Sequence, residues 1–67
     1  MIRLGAALCR RRAQRGMTAR AISEMAKVSP SYLSEIEAGA ANPSWDVLDR
    51  IAKALGTKLS VVIQETE

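Results

Sequence analysis

Apolar positions along the chain form four helical stripes followed by one alternating run. In the first segment, about Ile2 to Arg15, Leu4, Leu8 and Arg12 recur at i, i+4 and i+8, on one face of a helix. Gly16 then stands where a terminating glycine is expected. The second segment opens at Thr18, an N-capping residue type, and runs to about Ala26, with Ile22, Met25 and Ala26 as its expected inward stripe. The third opens with Ser29 as N-cap and Pro30 as first helical residue; Leu33 and Ile36 face inward, and Gly39 closes it. Only Lys27 and Val28 separate the second and third segments, so two short helices sharing one core must cross steeply there. Ala40 to Pro43 reads as a loop. Ser44 caps a fourth helix, with Asp46 in its first turn, an apolar face of Val47, Leu48, Ile51, Ala52 and Leu55, and Gly56 as its end.

The tail changes period. Leu59, Val61 and Ile63 alternate with Lys58, Ser60, Val62 and Gln64, and the run is rich in β-branched residues. Period two with β-branching predicts a strand. A short fifth helix packing Leu59, Val62 and Ile63 on the fourth is the competing expectation. The strand would have no partner inside a helical domain, so it is expected to pair with its twin across a two-fold axis, making Leu59, Val61 and Ile63 dimerisation residues. The expected division is therefore a domain over 1–56 and a dimerisation tail over 57–67.

Composition narrows the class. The chain has 67 residues, near the lower limit of what folds alone, and 48% of them are hydrophobic. With one Trp, one Tyr and no Phe, the core must come from aliphatic residues, which suits packed helices. Charge is unevenly distributed. Arg3, Arg10, Arg11, Arg12, Arg15, Arg20 and Lys27 face only Glu24 in the first thirty residues, leaving that part at +6 and the remainder at −3. A basic half on a small domain fits a polyanionic partner, although a run of charge also serves simply to solvate a helix face. A single cysteine, Cys9, excludes an internal disulfide and reads as a small buried residue. The chain has no histidine, no glycine-rich phosphate loop and no cysteine cluster, so no enzyme activity, metal or cofactor is expected. Neither a membrane-length apolar stretch nor a signal-peptide apolar segment is present, and the expected location is cytoplasmic.

These segments, in order and spacing, resemble the phage-repressor-like (Cro/CI-type, XRE) helix-turn-helix family. The resemblance rests on Leu4-Gly5 with Leu8 and Arg12; Gly16-Met17-Thr18; the run from Val28 to Ser34; Ile36-Glu37 with Gly39; Asn42-Pro43-Ser44; and Leu48, Ile51-Ala52 and Ala54-Leu55-Gly56. It covers about Leu4 to Gly56. It implies an all-α, lambda-repressor-like bundle of four core helices with the short tail appended. It also implies sequence-specific binding of double-stranded DNA as a dimeric transcriptional regulator, a repressor, on a palindromic operator.

The resemblance assigns roles residue by residue. The recognition helix, about 29–38, would enter the major groove. Its base-contacting positions would be Ser29, Pro30, Ser31, Tyr32 and Glu35; Ser31 can donate or accept, and Glu35 can accept from a cytosine amino group. Phosphate contacts would fall to Arg11, Arg15, Ala19, Arg20, Ser34, Asn42 and Ser44. Arg12 would form a structural pair with Glu37, which explains a charge in line with two leucines. Three departures weaken phosphate anchoring. Ala19 stands where the family usually has glutamine, so Arg20 and the backbone N–H groups must substitute. Lys27 replaces the usual turn glycine and would hold a positive φ at a cost of about 1 kcal/mol. The loop after Gly39 lacks the usual basic residues. Trp45 reads either as cover for the loop around Pro43 or as an anchor for a partner. A protein-binding module of the same shape, such as an antitoxin with a toxin partner, is the alternative function.

Overall fold

The first helix, α1 (Ile2–Gln14), lays Leu4, Ala7 and Leu8 into the interior. The structure, a computed structural model, describes residues 2–66, Ile2 by its backbone alone. Four more helices follow: α2 (Ala19–Ala26), α3 (Pro30–Glu37), α4 (Trp45–Ala54) and α5 (Leu59–Gln64). Helix α2 packs against α3 and α4, α1 against α3, and α5 against both α1 and α4. Leu8, Ile22, Leu33, Ile36, Leu48, Ile51, Leu55 and Val62 are all essentially inaccessible to solvent and form one cluster.

The starts of α2, α3 and α4 follow from their caps. Thr18, Ser29 and Ser44 are extended, and each side-chain oxygen accepts from the N–H three residues on, at 3.0, 3.0 and 3.2 Å respectively. These bonds satisfy donors that a helix start leaves without intrahelical partners.

The first four helices end with one motif. Met17 N–H donates to Arg12 O, Val28 to Ser23 O, Ala40 to Glu35 O and Thr57 to Ala52 O, each bond closing the last turn from five residues back. The residue before each donor is left-handed. At three ends it is glycine, Gly16, Gly39 or Gly56, while the fourth is Lys27 with φ 58°. Lys27 therefore sustains the strain expected of a side chain in that region, on the order of 1 kcal/mol.

Two expectations about packing are corrected. The tail is not a strand: residues 59–64 form helix α5, and no strand occurs among the described residues. In a helix Leu59, Val62 and Ile63 fall at i, i+3 and i+4; Val62 is fully buried, and Leu59 and Ile63 are half-buried against the core. Helical hydrogen bonds also satisfy the backbone within the segment, which a lone strand cannot do. Tertiary packing thus overrides the β-branched composition. Second, Met25 is 58% exposed rather than inward-facing. The stripe that α2 buries is Ile22, Ser23 and Ala26. Ser23 tolerates burial because its hydroxyl donates to Arg20 O at 2.8 Å.

Candidate nucleic-acid interface

Helix α3 exposes one face and buries the other. Leu33 and Ile36 are buried, and Tyr32 packs at the margin of the core. Ser31, Ser34 and Glu35 are exposed and, at i, i+3 and i+4, make a single outward stripe. Ser29 and Pro30 are also exposed at the helix start. The Ser29 oxygen accepts from Tyr32 N–H, which leaves its hydroxyl proton free to donate outward.

Three features fix the attitude of this helix. The turn from α2 spans only Lys27 to Ser29 and has the left-handed geometry described above. Gly5 of α1 lies so close to the end of α3 that a Cβ there would stand 2.1 Å from Ile36 O. Arg12 then ties the two helices together. Its Nε donates to Glu37 Oε2 at 2.8 Å and its Nη2 to Oε1 at 3.0 Å, a bidentate pair. Nη1 donates to Met17 O at 3.1 Å, and Nη2 also lies 3.8 Å from the half-buried Cys9 Sγ. The side chains of Arg12 and Glu37 are only 20% and 11% exposed. Hydrogen bonding to Glu37 holds the Arg12 guanidinium above its usual pKa against the opposing effect of burial. It stays charged throughout the neutral range. The guanidinium is thus satisfied on the flank of the core.

The remaining site residues lie on other elements, and Arg11 and Arg15 sit by the end of α5 and the end of α4 rather than beside α3. At the start of α2, Ala19 is half-buried against the core, and its amide and that of Arg20 precede the first intrahelical bonds. The Arg20 side chain is highly exposed, with a loose contact to Glu24 at 3.4 Å. Asn42 and Ser44 are exposed in the loop and at the start of α4, and the Ser44 oxygen accepts from Val47 N–H. Trp45 is 67% exposed beside the buried Pro43. Arg15 is exposed, with its guanidinium close to Gly56. Arg11 is engaged by Glu65, the residue that follows α5. Sequence reasoning missed that ion pair because its partners are 54 residues apart in the chain. Of the three tail residues, Leu59 and Ile63 turn toward the core, and Val61 is the exposed one. Among the described residues there is no cluster of potential metal ligands, and no helix is long and apolar enough to cross a membrane.

Comparison with known proteins agrees with this geometry. A family model described as a helix-turn-helix domain matches residues 3–62. The chain is 48% identical over 52 residues to the transcriptional regulator ClgR of Mycobacterium tuberculosis, covering 78% of this chain and 46% of that protein. It is 39% identical over 54 residues to the immunity repressor protein of Bacillus phage phi105, covering 81% of this chain and 38% of the repressor. The chain thus spans less than half the length of these curated relatives. Among solved structures, the clp gene regulator ClgR from Corynebacterium glutamicum superposes with a TM-score of 0.94 at 42% identity, over 97% of this chain and 69% of that one.

Proposed function

The chain belongs to the helix-turn-helix domain family, and from that premise we propose that it binds double-stranded DNA sequence-specifically as a transcriptional regulator, acting as a repressor. The observation that carries this reading is the outward stripe of α3, polar, unobstructed and held at a fixed attitude by Gly5 and the Arg12–Glu37 pair. A helix presented in this way fits the major groove, where base edges are distinguishable. The relatives that bear the names regulator and repressor support the same reading.

In this proposal Ser29, Pro30, Ser31, Tyr32 and Glu35 face the bases. Arg15, Arg20 and Ser34, the amides at Ala19 and Arg20, and Asn42 and Ser44 contact phosphates. Arg11 joins them only by exchanging its Glu65 partner for phosphate. The protein acts in the cytoplasm on a palindromic operator as a homodimer, which places two recognition helices about 34 Å apart. Pairing of strands is no longer available for the dimer, because residues 59–64 are helical. The outer face of α5, centred on Val61, takes that role.

Selection of bound duplexes from a random DNA pool, at stated salt, tests the proposal. Recovery of a palindromic sequence is expected. Failure to enrich any duplex contradicts it.

A further inference from the structure

We propose that Glu35 makes cytosine the required base at one position of each half-site, by accepting a hydrogen bond from the cytosine amino group in the major groove. This rests on the DNA-binding reading above and deepens it. Helix α3 offers hydrogen-bond acceptors rather than cations. Its eight residues contain two carboxylates and no cation. Glu37 is turned inward and occupied on both oxygens by Arg12. Glu35 is exposed and, among the described residues, makes no ion pair. The outward stripe therefore offers one free carboxylate flanked by the hydroxyls of Ser31 and Ser34.

An ionised carboxylate only accepts hydrogen bonds. In the major groove, guanine presents acceptors at N7 and O6, and thymine presents the O4 acceptor and a methyl group. Glu35 is repelled by the former and unsatisfied by the latter. Adenine offers a donor at N6, but its N7 acceptor lies on the same edge and opposes the second carboxylate oxygen. Cytosine alone presents a donor at N4 with no acceptor on its own edge. Without that bond, the charge of Glu35 lies between phosphates with no compensation. The residue thus both favours one base and weakens binding to sequences that lack it.

The test compares the wild-type chain with Glu35→Gln, which keeps the side-chain length and helix preference at an exposed position. Both proteins are used to select duplexes from the same random pool. The wild type is expected to fix cytosine at one position per half-site. The glutamine variant is expected to shift that position to adenine, whose N6 and N7 suit an amide, changing the C-to-A preference by about ten- to a hundredfold. Replacing the selected cytosine by N4-methylcytosine should cost the wild type a similar factor in affinity. If both proteins select the same sequence and N4-methylation has no effect, the role given to Glu35 is overturned while DNA binding stands. If the wild type enriches no duplex, the reading beneath it is overturned as well.

Discussion

At the scale of single residues, the attitude of α3 rests on one charge and one missing side chain. Arg12 lies on the same stripe as Leu4 and Leu8, and a cation there needs a partner. It was therefore conspicuous in the sequence, and the family resemblance named Glu37 as the partner. Replacing either residue alone, as Arg12→Met or Glu37→Leu, leaves a mostly buried charge unpaired and should cost about 3–5 kcal/mol. Replacing both should cost less than the sum. A double-mutant cycle in chemical denaturation measures the coupling, and strict additivity would show that the pair does not act as a unit. Gly5 was visible only as one letter of a motif, because the cause of its requirement, the carbonyl of Ile36, is 31 residues away in sequence. Gly5→Ala should force α1 and α3 apart and destabilise by about 1–3 kcal/mol. A melting temperature equal to that of the wild type would mean that the helices do not approach so closely.

At the scale of elements, legibility followed the strength of the end signals. The caps Thr18, Ser29 and Ser44 and the glycines at 16, 39 and 56 mark the boundaries of the first four helices, and the structure places them there. Helix α5 has no such start: Lys58 occupies its N-cap without a side-chain hydrogen bond. Its six residues satisfy both periods at once, since Leu59 and Ile63 lie on the inward face of either a helix or a strand. The two conformations differ at the residues between. A helix buries Val62 and exposes Val61, whereas the strand reading groups Val61 with Leu59 and Ile63. Val62→Ala should therefore cost about 1–3 kcal/mol, and Val61→Ala less, its cost being confined to the contact between copies. Thermal unfolding of the two variants settles the matter, and the reverse order of stability would favour the strand. The exposed Met25 has a similar origin. Both Ser23 and Met25 are compatible with the inward side of a two-turn helix, and the local hydrogen bond from Ser23 to Arg20 O makes the smaller, polar residue the buried one.

At the scale of the whole molecule, charge and shape combine. The first thirty residues carry a net +6, and their cations are spent unequally. Arg12 is committed to Glu37 and Arg11 to Glu65, while Arg15, beside Gly56, and Arg20, at the start of α2, remain exposed. The sequence displayed the excess of charge and, through the family resemblance, the Arg12–Glu37 pair, but not the Arg11–Glu65 pair, whose partners are 54 residues apart. Oligomeric state belongs to the same scale. If the face of α5 around Val61 joins two copies, Val61→Glu should yield a monomer in sedimentation equilibrium with the fold intact by circular dichroism. A variant that remains dimeric would place the contact elsewhere. The central claim, that this surface binds duplex DNA through its phosphates and bases, is tested most directly by titrating the protein into a labelled duplex selected from the random pool across a series of salt concentrations. Neutralising several phosphates predicts that log affinity falls linearly with log salt, with a slope of several units. An affinity that is flat with salt, or no binding at low salt, would contradict the account.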